Sequence, residues 1–320
     1  MSSTLSKDAK IYIAGHNGMV GSAIWRTLTA SGYTNLIGQS SKQLDLRNQD
    51  AVNQFMEVTT PDVVIVAAAK VGGILANSQF QYQFLLENLQ IQNNIIDAAH
   101  RNNAKKLIFL GSSCIYPKLA QQPLTEDSLL TGPLEPTNEG YAIAKIAGVK
   151  LCQHIKNQYN KDFVSLMPTN LYGSNDNFDL KTSHVLPAMI RKFHDAKLDN
   201  NAPVTLWGSG TPMREFLFVD DLAQAVLFAM QNQLPDHLYN VGTGTDITIK
   251  QLATTIQKAT GHTGPIIWDS TKPDGTPRKL MDVSKLKQAG WQYTTNLEQG
   301  IAKTYQWFLD NHDTYKQVKL

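Results

Sequence analysis

Tyr141-Ala142-Ile143-Ala144-Lys145 sets a phenol and an ammonium four residues apart, on one face of any helix that contains them. A free phenol titrates near about 10, too high for ready proton exchange at neutral pH, so a cation that favours phenolate makes a better acid–base catalyst. Ser112 and Ser113 follow the apolar run Lys106 to Leu110. Hydroxyls at the carboxyl end of a strand stand where open α/β sheets bind ligands. Cys114 lies two residues after Ser112 and reads either as an inert thiol or as a proton carrier, whereas Cys152 falls inside a helical pattern and reads as structural.

Gly15, Gly18 and Gly21 follow the apolar run Ile11 to Ala14 and open a helical pattern. Without side chains the backbone can turn tightly there and approach a pyrophosphate, whose charge suits unpaired N–H groups at a helix start. A dinucleotide is the expected ligand. The next strand, Asn35 to Gly38, ends in Gly38-Gln39-Ser40-Ser41-Lys42. No carboxylate stands there to repel a 2′-phosphate, while hydroxyls and an ammonium can bind one, so NADP(H) is expected over NAD(H). Asp45 reads either as a partner for the adenine edge or as a cap for the following helix.

These groups need a scaffold that brings strand ends together. Short apolar runs alternate with helical patterns from Lys10 onward, which predicts βαβ units and a Rossmann-type doubly wound parallel sheet, an α/β fold. Expected strands are Ile11 to Ala14, Asn35 to Gly38, Lys42 to Leu46, Val63 to Ala68, Lys106 to Leu110 and Phe163 to Met167. Expected helices run from Gly18 to Ser31, Asn48 to Val58, Gln79 to Asn102 and Tyr141 to Tyr159, with a loop from Gly111 to Gly140. The last two helices carry more apolar surface than one sheet face needs, so they either pack only on the sheet or form a helical dimer seam. Frequent prolines after residue 175 suggest a smaller α/β substrate domain. The expected division is 1–174 for NADP(H) and 175–320 for the substrate, with a segment near 215–245, including the strand Leu238 to Val241, returning to the first sheet.

Composition excludes several classes. In 320 residues, hydrophobic side chains make up 42% and charged ones 18%, and the net charge is 29 − 27 = +2, which suggests neither disorder nor a nucleic-acid surface. Two cysteines are too few for a disulfide framework. The polar stretch Met1 to Lys10 and the lack of a long apolar run give a cytoplasmic protein without a membrane span as the expectation. No metal-ligand spacing stands out.

The glycine turn, the strand-end Ser and Tyr-x-x-x-Lys, in that order, resemble the extended, nucleotide-sugar-modifying branch of the short-chain dehydrogenase/reductase superfamily. The resemblance narrows on Gly15-His16-Asn17-Gly18-Met19-Val20-Gly21, Lys70-Val71-Gly72-Gly73, Gly111-Ser112-Ser113-Cys114-Ile115-Tyr116-Pro117, Pro168-Thr169-Asn170-Leu171-Tyr172-Gly173, Trp207-Gly208-Ser209-Gly210-Thr211-Pro212-Met213-Arg214-Glu215 and Lys272-Pro273-Asp274-Gly275-Thr276-Pro277-Arg278-Lys279. Together these look like the GDP-4-keto-6-deoxy-D-mannose 3,5-epimerase-4-reductases, over about Ile11 to Leu309.

That resemblance implies an NADP-dependent oxidoreductase with epimerase activity that makes GDP-L-fucose as a homodimer. It implies that Tyr141 protonates the carbonyl, that Lys145 assists it and binds nicotinamide ribose, and that Ser112 orients the carbonyl. It implies that Cys114 and His184 exchange protons at C3 and C5. The cofactor would meet Gly15, Asn17, Gly18, Met19, Val20, Gly21, Ser41, Asp45, Leu46, Ala68, Lys145, Pro168, Asn170, Leu171 and His184. The GDP-sugar would meet Lys192, Trp207, Arg214, Asp274 and Lys279. A GDP-sugar 4-reductase or epimerase with one activity is the alternative. A silent dinucleotide sensor would not need Ser112, Cys114, Tyr141, Lys145 and His184 together.

The chain departs from this family at Asn17, at Gln39-Ser40-Ser41 and at Lys192, where arginines are usual. Lys offers a point charge and Ser only a hydroxyl in place of a bidentate fork. Discrimination by the 2′-phosphate is therefore expected to be weak. Matched kcat/KM values for NADH and NADPH bear this out, and a strong NADPH preference defeats it.

Overall fold

A computed structural model describes residues 5–311 except 181 and 273, with Ile74 and Leu75 described by backbone alone. Residues 1–4 and 312–320, and Pro273 of the Lys272-to-Lys279 motif, lie outside that description. The first part of the chain runs β1 (Ile11–Ala14), α1 (Met19–Ala30), β2 (Leu36–Ile37), α2 (Gln49–Thr59), β3 (Val63–Val66), α3 (Ile74–Gln79), α4 (Gln81–Arg101), β4 (Lys106–Leu110), α5 (Glu139–Tyr159) and β5 (Asp162–Pro168). Then come β6 (Asn170–Tyr172), α6 (Val185–Leu198), β7 (Val204–Trp207), β8 (Met213–Phe218), α7 (Val219–Gln231), β9 (Leu238–Val241), β10 (Asp246–Thr248), α8 (Ile249–Thr260), β11 (Ile266–Asp269), β12 (Arg278–Lys279), α9 (Ser284–Gln288) and α10 (Leu297–Asp310).

Six strands form one parallel sheet in the order β2-β1-β3-β4-β5-β9. β1, β3 and β4 are buried along their whole length, as continuous apolar strands covered on both faces should be. Helices α1 and α7 cover one face through Ile24, Leu28, Leu222 and Val226. Helices α2, α4 and α5 cover the other through Val52, Met56, Ile95 and Val149. The order of winding reverses between the parallel strands β1 and β3, and their carboxyl ends open a crevice there.

The remaining strands build a second layer around β8. It pairs with β6, which continues β5, and with β10 and β12, while β7 and β11 pair separately. Helices α6, α8 and α10 pack on this part through Phe193, Ile256 and Phe308.

Three expectations need correction. Lys42 to Leu46 forms turns and not a strand, because Gln43 and Leu44 N–H both donate to the Ser40 carbonyl at 2.9 Å, and local bonds of this kind satisfy the backbone without a neighbouring strand. The helix expected from Gln79 breaks at Phe80 into α3 and α4. The cap of α2 is Asn48, whose side chain accepts from Ala51 N–H, so Asp45 does not cap it.

Close packing explains two glycines in α5. A Cβ on Gly148 would lie 2.5 Å from the Phe109 ring, and one on Gly140 would lie 2.7 Å from the Gln81 carbonyl oxygen. Gln92 also donates to the Ala144 carbonyl. These contacts set α5 tightly against α4 and β4 and so fix where Tyr141 and Lys145 stand.

Candidate active site

The crevice between β1 and β3 is shaped by glycine. Gly15 takes φ +85°, and a Cβ there would lie 2.8 Å from the Ala68 backbone; a Cβ on Gly21 would lie 2.1 Å from the Gly15 carbonyl oxygen. Gly18 caps α1 with no side-chain bond, so the first-turn N–H groups of Met19, Val20 and Gly21 lack an intrahelical partner. Such a cradle fits a pyrophosphate. At the end of β2, the His16 ring fills the space beside Gly38, where a Cβ would lie 2.5 Å from it. Ser41 and Lys42 are exposed, and the Ser40 hydroxyl donates to Gln43. Asp45 is held by Arg47, whose Nη2 lies 2.9 Å away and whose bonds lower the carboxyl pKa. The Leu46 carbonyl accepts from Asn94. On the other side of the sheet, Pro168 ends β5, Asn170 donates to the Glu215 carbonyl at 2.8 Å and Leu171 packs on the α1 face.

Beyond β4 the chain turns through residues 113–115, capped by the Ser112 hydroxyl, which accepts from Cys114 N–H at 3.4 Å. Cys114 is buried and Ser112 half-buried. The Lys145 ammonium donates to the Leu110 carbonyl at 2.9 Å and lies 5.8 Å from the Tyr141 ring centroid. Burial lowers its pKa to about 8, with Cys114 acting in the opposite sense. Burial raises the Tyr141 phenol, and Cys114 adds to that. The expected depression of this phenol by Lys145 is therefore not seen, because the lysine is itself desolvated and bonded to a carbonyl. Burial also raises the Cys114 thiol, against the opposing pull of Lys279, Ser112 and Lys145.

His184 caps α6 without a side-chain bond to the helix. It keeps exposed surface, yet the protein around it lowers its imidazole pKa. Its loop abuts the β3 side of the crevice, where a Cβ on Gly73 would lie 3.3 Å from the Ser183 carbonyl oxygen.

The cations expected at the substrate lie in the second layer. Lys279 on β12 pairs in register with Arg214 on β8, and its charge interacts with Cys114, Arg214 and Glu135. Burial lowers the pKa of Lys279, Arg214 and Lys192. The Lys192 ammonium donates to the Thr205 carbonyl at 3.1 Å. Asp274 accepts from the Ser209 N–H at 2.9 Å and from its hydroxyl at 2.7 Å, one residue beyond Gly208 and two from Trp207. The Trp207 face is 62% exposed, with the Lys272 ammonium 5.8 Å from its ring centre, a surface on which a flat base can stack.

Ser112, Cys114, Tyr141 and Lys145 thus come together, joined by Lys279. Sequence reasoning missed the buried Glu215 and Asn240, which hold segments of this site. Only the position of Glu215 beside Arg214 could have marked it. Among the described residues no group of three or more His, Cys, Asp or Glu side chains could hold a metal ion, and no helix is long and apolar enough to cross a membrane.

A glycine-shaped crevice beside Ser, Tyr and Lys, with half-buried cations in the second layer, defines a short-chain dehydrogenase/reductase site. Residues 11–242 match the NAD dependent epimerase/dehydratase family. The chain is 54% identical over 313 residues to "Putative GDP-L-fucose synthase 2" of Arabidopsis thaliana, covering 98% of this chain and 95% of that one. It is 53% identical over 317 residues to the GDP-L-fucose synthase of Escherichia coli K12, covering 96% and 98%. A solved GDP-L-fucose synthetase from Naegleria fowleri bound to NADP superposes with a TM-score of 0.91 at 33% identity, over 99% of this chain and 97% of that one. The chain belongs to the NAD dependent epimerase/dehydratase family, and within it to the GDP-L-fucose synthases.

The electrostatic link between Lys279 and Cys114 has a direct readout. Removing a cation from a dry site disfavours thiolate, so Lys279→Ala raises the pH midpoint of Cys114 alkylation by roughly one unit. Cys152, wholly buried with its thiol pushed up to about 12, serves as the internal control in peptide mapping. An unmoved midpoint refutes the link.

Proposed function

We propose that this chain converts GDP-4-keto-6-deoxy-D-mannose to GDP-L-fucose by epimerisation at C3 and C5 followed by NADPH-dependent reduction at C4. The observation that carries the reading is the cluster of Ser112, Cys114, Tyr141 and Lys145 at the carboxyl end of β4, facing the Lys279–Arg214 pair. The names of the relatives at 54% and 53% identity support the same product.

A ketone at C4 acidifies the C–H bonds on either side, because the carbanion delocalises as an enolate. Inversion then needs a proton removed from one face and returned to the other. A thiol near about 8.5 and an imidazole near about 6.5 in ordinary surroundings both exchange protons around neutrality, which suits Cys114 and His184 to the two faces. Ser112 donates a hydrogen bond to the C4 oxygen and so stabilises the enolate charge. NADPH, when bound, supplies the hydride for C4. Tyr141 gives its proton to the C4 oxygen as that hydride arrives, and the Lys145 ammonium stabilises the phenolate left behind. Proton return to Tyr141 from solvent completes the balance.

In this reading residues 1–174 hold NADP(H) and 175–320 hold the GDP-sugar, with β9 contributed back to the first sheet. The α1 amides and Gly15 hold the pyrophosphate. Ser41 and Lys42 meet the 2′-phosphate. Arg214, Lys192 and Lys279 meet the sugar diphosphate, and Trp207 with Asp274 meets the base. Exposed Tyr82 and Leu86 on α4 and Ile143 on α5 support a homodimer through these helices. A working thiol needs reducing conditions, and both cysteines are free, which supports a cytoplasmic enzyme.

Turnover in heavy water is expected to place deuterium at both C3 and C5 of the product; product with neither label rules out the dual activity. In Cys114→Ser the labelling stops while reduction of the unepimerised ketone persists, and intact labelling without the thiol removes Cys114 from the reaction. Reduction also depends on a charged Lys145. Because its pKa is lowered to about 8, the active ammonium is lost as pH rises, so kcat/KM for NADPH falls through that pH. A profile flat across it contradicts this role.

A further inference from the structure

Glu215 is fully buried on β8, next to Arg214. Oε1 accepts from the N–H of Thr243 at 2.6 Å and of Gly244 at 2.8 Å, and Oε2 accepts from the N–H of Met281 at 3.1 Å. Its main-chain carbonyl accepts from Asn170 at 2.8 Å and from the Thr169 hydroxyl at 3.3 Å. A Cβ on Gly242 would lie 2.2 Å from Oε1, so no side chain fits beside the carboxylate. Both carboxylate oxygens are thus committed to backbone amides.

Met281 lies two residues beyond Lys279 in the same extended run. The far edge of that run is held by the loop that follows Cys114. Leu124 N–H donates to the Leu280 carbonyl at 2.8 Å, Asp282 N–H donates to the Leu124 carbonyl at 2.8 Å, and Leu280 N–H donates to Gln122 at 2.8 Å. On the near edge, Lys279 is in register with Arg214. The run is therefore gripped between the Cys114 loop and β8, and the Glu215 carboxylate is its charged attachment on the β8 side.

We propose that Glu215 is a positioning residue for the sugar-nucleotide half of the site: by holding Met281, Thr243 and Gly244 it sets Lys279 between Arg214 and Cys114, while touching no reacting atom itself. The proposal rests on the reading of Arg214 and Lys279 as substrate cations. Glu215→Gln keeps the shape but turns one acceptor into an NH2 group that must face an amide donor, so one anchor is lost.

The test uses the full chain. With NADPH saturating, KM for GDP-4-keto-6-deoxy-D-mannose rises about tenfold in Glu215→Gln, with kcat changed less than about threefold. NADPH affinity, read by fluorescence quenching, stays within about twofold. The pH midpoint of Cys114 alkylation moves in the direction given by Lys279→Ala. Gly242→Ala presses a methyl group against the same carboxylate and gives the same pattern, so it carries the test should Glu215→Gln fail to fold. A wild-type KM and alkylation midpoint in a folded variant, or a loss confined to melting temperature and active fraction, overturns the proposal. If the wild type leaves the keto sugar unreduced, the functional reading falls, and the alkylation comparison, which needs no sugar, still decides the role of Glu215.

Discussion

The bond from the Lys145 ammonium to the Leu110 carbonyl joins the two elements on which the chemistry depends. Lys145 comes from α5 and Leu110 ends β4, directly before the Ser112–Cys114 turn. A charge in a dry site has to be compensated, and here the compensation is a strand-end carbonyl and the faces of Phe109 and Tyr141. The arrangement keeps α5 in one register against the sheet. Burial works against these contacts and lowers the ammonium pKa to about 8, which ties the fold to the proton chemistry of the site.

The second layer is joined to the first by polar contacts that are themselves buried. Asn240 on β9 donates to the Leu124 and Asp282 carbonyls at 2.9 and 3.0 Å and accepts from the Tyr116 hydroxyl, while its N–H donates to Glu126 at 2.8 Å. Glu215 grips the neighbouring residue, Met281, from the β8 side. Breaking any one of these contacts strands a partner away from water, at a cost of about 1–3 kcal/mol. Apolar packing would tolerate slippage of strand against strand. Directed bonds do not, and catalysis at two carbons beside one ketone needs a fixed spacing.

The sheet was readable because its strands are unbroken apolar runs; Val63–Val66 and Lys106–Leu110 admit little else between helical patterns. Lys42 to Leu46 misled because Leu44 and Leu46 alternate with polar residues, and only the Ser40 and Gln43 bonds reveal a turn. Ser112, Tyr141 and Lys145 were legible from spacing, since one strand end and one helix face carry them. His184 was legible only by resemblance, as a lone His before a helix carries no chemical signature. Glu215 was hidden because its partners lie 28, 29 and 66 residues away. No local pattern encodes a carboxylate that waits for amides from two distant segments.

The pull on the Cys114 thiol comes from two lysines with different origins. Lys145 belongs to the helix that carries Tyr141, and Lys279 to a strand that also adjoins Arg214. A charge on the sulfur is thus felt by Lys145 on one side and by Lys279 on the other. Burial raises the thiol, and the two cations oppose that rise, so its acidity depends on how the two layers are seated. An anionic diphosphate drawn towards Arg214 and Lys279 would offset part of the positive charge near the sulfur. Such binding would push the thiol back towards its protonated form, a weaker acid whose thiolate is the stronger base for taking a proton from carbon.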